Sequence, residues 1–378
     1  MKEYKLSQLL EIKNGKDHKE LPNGDYPVFG SGGVMRYVNE YLYDKPSILL
    51  PRKGSLNNIQ YCDVPFWTVD TLYYTEVNEK IACPYYLYNY LCLLDLSGLD
   101  TGTGVPSMTF DSYYNIKVLL PEIEEQKRVA SVLQNLDHKI ALNRQINDNL
   151  EAMAKQLYDY WFVQFDFPNE EGKPYKSSGG AMVWNEKLKR EIPQEWSDCK
   201  LKDFINLFDS KRVPLSSKDR GERQGVYPYY GATGIMDYVN DYIFDGDYIL
   251  LAEDGSTSDA KGFPIVQYIW GKNWVNNHAH IILPKNERYT MFTYQMLRSI
   301  PAKQIETGSI QKKISQENLC GYKMVLPNSD LLEKYENVVS PLWEKRKRCI
   351  EEINTLTKQR DELLPLLMNG QASVNYHL

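Results

Sequence analysis

The sequence predicts an α+β chain: two similar mixed α/β domains separated by two long antiparallel coiled-coil helices, related by a pseudo-twofold internal repeat. Three observations carry that expectation. The stretch Tyr26–Ser55, YPVFGSGGVMRYVNEYLYDKPSILLPRKGS, returns at Tyr227–Ser256 as YPYYGATGIMDYVNDYIFDGDYILLAEDGS, aligned without a gap at an offset of 201 residues. Between the copies, residues 122–162 contain neither Gly nor Pro. There Val129, Leu133, Leu136, Ile140, Asn143, Asn147, Leu150, Ala154 and Leu157 fall alternately four and three apart, the heptad spacing of a coiled-coil helix. A second such stripe follows the second copy: Tyr335, Val339, Leu342, Arg346, Cys349, Ile353, Leu356, Arg360, Leu363 and Leu367. Two helices of matching length, each trailing a similar domain, pair only if the chain folds back, hence the antiparallel assignment. The plainer alternative is that each helix packs on its own domain.

Residues 1–121 form the first domain. Lys5–Ile12 reads as a short helix or strand. Then come apolar or aromatic runs (YPVFG, YVNEYLYD, SILLPRKG, NIQYCDV, WTVDTLYYTEV) punctuated by Gly, Pro, Asn and Asp, which read as strands and turns. Cys83–Leu94 is richer in Leu and Tyr and reads as a helix after Pro84. Thr101–Phe110 is a loop, and Asn115–Pro121 a closing strand. Residues 122–163 are the first long helix. Its N-terminal carboxylates suit the helix dipole, and a helix of that length reaches about 60 Å. Asn143 and Asn147 on its stripe weaken packing but fix register. Residues 164–195, with their Gly, Pro, Ser and charges, read as a linker. Residues 196–327 repeat the first domain: Lys200–Phe208, the shared block, Trp274–Pro284, a loop at Glu306–Ser315 and a closing strand at Tyr322–Pro327. Residues 328–378 are the second long helix, from about Leu331 to Met368, and a tail. Pro341 is expected to bend or break its first third, and Pro365 its end.

With 378 residues, 42% hydrophobic and 25% charged, the chain has the composition of two ordinary globular domains, each with a core. No apolar run approaches a membrane span, and the start, MKEYKLSQLLEIKNGK, carries no signal-peptide pattern. The six cysteines form no CxxC pair and read as reduced thiols of a cytoplasmic protein, not as a disulfide framework or zinc site. A net charge of −6 argues against indiscriminate nucleic-acid binding, which needs a basic footprint. It leaves room for a local basic face, or for a grip shared with a partner.

The stretches that come nearest to catalytic motifs all depart from them. Phe29–Gly33, FGSGG, misses the spacing of a Gly-rich S-adenosylmethionine loop, and Tyr-Val-Asn follows it in place of a helix. Asp63–Trp67 and Cys83–Tyr86 differ from the D-P-P-Y type motif of amino-methyltransferases and do not recur in the other half. His278 and His280 lack a third metal ligand of suitable spacing, and such a pair more often marks a strand with one face in and one out. No Walker loop, nucleophile elbow or catalytic carboxylate pair stands out. No catalytic, cofactor-binding or metal-binding residue is therefore expected in this chain.

Binding has better support. Both halves place Gly-rich turns and polar loops at matched positions. In the first half the candidate DNA-binding residues are Ser31, Gly32, Arg36, Arg52, Lys53, Ser55, Asn57, Asn58, Thr101, Thr103 and Ser107. In the second they are Thr233, Glu253, Asp254, Ser256, Thr257, Ser309, Gln311, Lys312 and Lys313. Arg and Lys grip phosphates or read guanine, Asn and Gln pair with adenine, and Glu and Asp accept from cytosine. The framework recurs while the loop ends differ, PRKGS against AEDGS, as expected if each half reads a different short sequence. Taken singly, each residue reads more readily as part of an ordinary surface turn.

These motifs together resemble the specificity subunit of type I restriction-modification systems. The resemblance rests on the YPVFGSGG/YPYYGATG block, on Thr307–Ser315 with its echo at Thr101–Thr109, and on Leu119–Ile140, LLPEIEEQKRVASVLQNLDHKI. It rests also on YWFVQFDFPNEEGKPY, EIPQEW and LLPLLMNGQASV. It spans nearly the whole chain. The second half lacks the Glu-Gln signature, having PNSDLLEK where the second helix begins.

The resemblance implies two target-recognition domains, each reading one half of a bipartite, asymmetric double-stranded DNA site. It implies helices that space the halves and dock two modification subunits. Those partners would carry S-adenosylmethionine and methylate adenine N6; restriction subunits, where present, would use ATP and Mg. Two other classes stay open: a duplicated coiled-coil scaffold not acting on DNA, and a stand-alone DNA methyltransferase.

Overall fold

A computed structural model of the chain describes residues 1–99, 106–308 and 311–374. It divides into two compact units, Met1–Gln145 with Ile350–Leu378, and Ile146–Cys349.

The first unit opens with β1 (Lys2–Lys5), β2 (Leu10–Lys13), β3 (Tyr26–Gly30), β4 (Gly33–Val38), β5 (Ser47–Pro51), β6 (Gln60–Cys62), β7 (Trp67–Thr68) and β8 (Leu72–Val77). Then follow α1 (Pro84–Cys92), α2 (Phe110–Tyr114), β9 (Lys117–Leu120) and the long helix α3 (Ile123–Tyr158). Strand order is β2-β8-β5-β6 in one sheet and β4-β3-β7 in another, and β1 pairs with β9 from Lys2↔Leu120 to Lys5↔Lys117. Every residue of β5, SILLP, is buried, because neighbours flank it on both edges and the core covers it; hence its unbroken apolar run. β9, KVLL, alternates exposed and buried, with period two. Pro84 opens α1, where its missing N–H costs no hydrogen bond. Leu6, Tyr86 and Tyr113 are fully buried in this core, which Val129, Ala130 and Leu133 of α3 complete.

The second unit repeats this plan. An added hairpin, β10 (Met182–Asn185) with β11 (Arg190–Pro193), comes first. The repeat runs through β12 (Ser197–Lys200), α4 (Leu201–Phe204), β13 (Ile205–Leu207), α5 (Ser217–Glu222), β14 (Gln224–Tyr230), β15 (Ile235–Val239), β16 (Tyr248–Ala252), β17 (Val266–Ile269), β18 (Trp274–Val275) and β19 (Ala279–Pro284). It closes with α6 (Thr290–Ser299), β20 (Glu306–Thr307), β21 (Lys313–Ile314), α7 (Gln316–Gly321), β22 (Lys323–Leu326) and the helix α8 (Ser329–Met368). The sheets β13-β19-β16-β17 and β15-β14-β18 and the pair β12-β22 match those of the first unit strand for strand. The parallel pairing of β3 with β7 recurs as β14 with β18.

Residues 164–195 are not the expected linker. Phe165, Phe167 and Ile192 join Trp196 in the core of the second unit, and the Gly, Pro and Ser residues serve turns between them. The expected loop at Glu306–Ser315 contains the short antiparallel pair β20–β21.

α3 and α8 run antiparallel within each unit. In the first, Arg360 donates to Asp137 at 2.8 Å, and Asn143 to Glu352 at 2.9 Å. In the second, Arg346 donates to Glu151 at 2.8 Å, and Tyr335 to the Ala154 carbonyl at 3.4 Å. Along α3, Val129, Leu133, Ile140, Asn143, Asn147, Leu150 and Ala154 of the heptad stripe are buried. On α8 the stripe departs at Leu363, which is exposed. α8 passes through Pro341 and Pro365 without the expected break. Pro341 and Asn337, whose carbonyl the proline leaves unpaired, both face water, while Tyr335, Val339 and Trp343 anchor the helix in the core.

Buried polar side chains help dock each long helix onto its own domain. Gln126, on the first turn of α3, accepts from the Cys83 N–H at 2.9 Å and donates to the carbonyls of Ile81 and Pro121. In the second unit Glu336 accepts from the Phe292 N–H at 2.8 Å and from the Ser340 hydroxyl at 3.0 Å. Burial raises its pKa to about 7.

Candidate nucleic-acid interface

In the first unit three loops converge beside the β3–β4 turn. The turn needs glycine: Gly33 sits at φ +116, a conformation that side-chained residues resist. Gly54 of the next loop, at φ +94, lies against Ser31; a Cβ there would be 3.6 Å from its Oγ. Asn58 donates to the Ser31 carbonyl, and Gln60 to that of Gly30 at 2.9 Å. The third segment joins through an isolated bridge between Lys53 and Ser107, with Gly54 N–H on the Pro106 carbonyl at 2.9 Å and Met108 N–H on the Arg52 carbonyl at 3.0 Å. Gly32, Lys53, Ser55, Asn57 and Asn58 are exposed on this cluster.

Arg52 is half-buried and donates to the Asp70 carbonyl at 3.3 Å. Asn57 accepts from Leu96 N–H at 3.3 Å through its side-chain oxygen. Arg36 does not join the cluster: its guanidinium is held by the Leu21 carbonyl and Asn23 at 2.8 and 2.9 Å. Thr101 and Thr103 lie outside the described residues, as does Ser309 in the second half.

The second unit builds the same junction with different side chains. Gln267 replaces Gln60, donating to the Gly231 and Ala232 carbonyls of the turn that exposes Thr233. Ile314 N–H donates to the Glu253 carbonyl at 2.8 Å, as Met108 does to Arg52, and Asp254 bridges Lys313 as Lys53 bridges Ser107. Ser256, Gln311, Lys312 and Lys313 are exposed here. Lys312 pairs with Glu306 at 3.1 Å, and Lys313 with Glu253 at 3.2 Å. Asp254 holds exposed His278 at 2.7 Å.

Two of the sequence-derived residues face inward. Thr257 is buried, and its hydroxyl donates to Glu306 at 2.7 Å, so it braces the loop from within. Glu253 takes Arg212 at 2.8 Å as well as Lys313. Burial opposes its charge, but Arg212, His280 and Lys313 outweigh that and hold its pKa below the usual carboxylate range.

Beneath this loop lies a buried network that sequence reading missed. His280 on β19 meets Asp209 at 2.6 Å through Nδ1 and the Ile314 carbonyl at 2.7 Å through Nε2. Asp209 also accepts from Ile281 N–H at 2.9 Å and from Gln316 at 2.6 Å. Burial works against ionised Asp209, but these donors prevail and its pKa is lowered. For His280 burial again opposes the charged form, while Asp209 and the Ile314 carbonyl outweigh it, so its pKa is raised.

Spacing gave the two histidines no third ligand, yet folding brings Asp209 and Glu253 to His280, with ligand atoms within 4.8 Å of one another. Both imidazole nitrogens are already engaged, by Asp209 and by the Ile314 carbonyl, and Arg212 lies against both carboxylates. Asp209 lies 71 residues before His280, so only an alignment of the halves extended past the gapless block could have flagged the site. That alignment sets His280 opposite Tyr73, whose hydroxyl donates to the Met108 carbonyl at 3.3 Å.

No helix among the described residues is long and apolar enough to cross a membrane. The chain matches the family model described as the type I restriction modification DNA specificity domain twice, over residues 1–152 and 193–336. It is 23% identical over 389 residues to the type I restriction enzyme MjaIX specificity subunit of Methanocaldococcus jannaschii, covering 94% of this chain and 86% of that protein. A shorter match, 33% over 142 residues, is to a putative type I restriction enzyme specificity subunit of Haemophilus influenzae, covering 38% of this chain and 35% of that one. The fold is that of the crystal structure of the type I restriction-modification S subunit from M. genitalium: TM-score 0.67 at 18% identity, covering 97% of this chain and 95% of that one.

Proposed function

Because the chain belongs to the type I restriction-modification DNA specificity family, we propose that its two three-loop junctions each read one half of a bipartite, asymmetric DNA site. One observation carries this reading: the junctions share a β-bridge and a backbone hydrogen bond at matched positions, yet present Lys53, Ser55, Asn57 and Asn58 in one case and Asp254, Ser256, Gln311, Lys312 and Lys313 in the other. A common scaffold with different hydrogen-bonding tips is what two different base sequences require. The chain itself is non-catalytic in this reading. Two modification subunits dock on α3 and α8, carry S-adenosylmethionine and methylate adenine, and restriction subunits join them where a system has them. The long helices set the number of unread base pairs between the half-sites.

The test is methylation mapping. The chain is expressed with its modification partner in a host lacking adenine methylation, and the genome is read for N6-methyladenine. A split motif that depends on this chain is the expected result. Lys53→Ala with Asn58→Ala should relax or abolish one half of the motif, and Lys312→Ala with Gln311→Ala the other. A stable complex that leaves the genome unmethylated would overturn the reading.

A further inference from the structure

We propose that His280, hydrogen-bonded through both ring nitrogens, is a positioning residue that fastens the Gln311–Ile314 segment and makes reading of the second half-site sensitive to alkaline pH, whereas the first half-site is read independently of it. The proposal rests on the recognition reading above.

The bonding decides the protonation state. The Ile314 carbonyl can only accept, so Nε2 carries a hydrogen. Asp209 already accepts from Ile281 N–H and Gln316 and is held ionised, so Nδ1 carries one too. His280, with no exposed surface, is therefore an imidazolium. The charged groups around it are Asp209, Glu253 at 3.8 Å from Nδ1, Arg212 at 2.8 Å from Glu253 and 3.6 Å from Asp209, and Lys313 on Glu253. Cys320 of α7 lies near enough to Asp209 to feel its charge.

A neutral imidazole has one N–H and can serve only one of the two acceptors. Losing the proton therefore sets a ring lone pair against either the Asp209 carboxylate or the Ile314 carbonyl. Either outcome loosens the junction between β19 and β21, where Lys313 is presented. Tyr73 makes the corresponding contact in the first half with a neutral hydroxyl, whose pKa burial pushes up, so it keeps its proton over the same range.

The experiment uses the full chain with its modification partner and the duplex identified by methylation mapping. Binding is measured from pH 6.5 to pH 9 on the native duplex and on duplexes altered in one half-site at a time. Discrimination at the second half-site should fall several-fold with rising pH, while discrimination at the first stays level. His280→Gln keeps a donor for Ile314 but cannot titrate, and should flatten the profile. In parallel, 15N spectra of the histidine rings in the unmodified chain follow His280 directly, so the result does not depend on a variant folding. Titration at or below the ordinary value of about 6.5 overturns the clamp. An equal loss at both half-sites, or an unchanged profile in His280→Gln, overturns its role in recognition. A complex that binds no duplex at any pH overturns the recognition reading itself, and the ring titration then decides the clamp independently.

Discussion

The first half of the molecule fixes its long helix with an amide, Gln126, and its loop junction with a phenol, Tyr73. The second half performs the same two tasks with a carboxyl, Glu336, and an imidazole, His280. The two loop junctions share a bridge and a backbone hydrogen bond, so Tyr73 and His280 act within one framework, whereas Gln126 and Glu336 dock their helices through different partners. Neutral groups give contacts that hold across the pH range. Ionisable ones make the second half depend on proton concentration at two separate places. In both, the second half holds its proton longer than an unfolded chain would, so rising pH weakens it.

Breaking the ionic network should have the largest effect. Asp209→Asn leaves His280 and Arg212 without their shared buried partner, and a buried pair broken in this way typically costs about 3–5 kcal/mol. Six of the seven tryptophans lie in the second unit, so fluorescence-detected denaturation reports on that unit. A loss under about 1 kcal/mol would remove the contrast between the halves.

Glu336 comes next. With its pKa raised from 4.5 to about 7, the folded chain holds a proton that the unfolded chain gives up. Its contribution is full below about pH 4.5 and lost as pH rises to about 7, amounting to about 3 kcal/mol. Glu336→Gln should remove that slope and leave the second unit more stable at pH 8. Gln126→Glu should give the first unit a slope of the same sign, because a buried carboxylate there would face the Ile81 and Pro121 carbonyls, and a flat profile would remove the contrast between neutral and ionisable docking groups.

The smallest effect is expected from Tyr73→Phe, at about 1 kcal/mol, the usual worth of one neutral hydrogen bond, with no change in pH dependence. Denaturation of the variant at pH 6 and pH 9 checks both points.

Much of this framework was legible in the sequence. The repeated block fixes turns whose glycines have no substitute, and the heptads mark both helices because their buried positions recur at fixed spacing. What stayed hidden was tertiary. Residues 164–195 look like a linker because Gly, Pro and Ser outnumber the few aromatics, yet Phe165 and Phe167 decide where the segment goes. Pro341 reads as a breaker until its neighbours are seen to be anchored and its orphaned carbonyl to face water. Glu253 and Thr257 sit in a loop that reads as exposed, but their partners, Arg212 and Glu306, come from distant segments. Lys53, Asn58 and the Gln311–Lys313 run were legible as exposed loop residues because the two copies diverge there while the surrounding framework recurs.

The first unit takes its last piece, Ile350–Leu378, from the far side of the second unit in the chain, and Leu367 and Met368 from that piece lie in its core. On the ribosome the order of completion is therefore inverted: once Cys349 has been made, every residue of the second unit exists, while the first unit still lacks part of its interior. A nonsense codon near position 350 would spare the second unit's residues and leave the earliest-made domain unfinished.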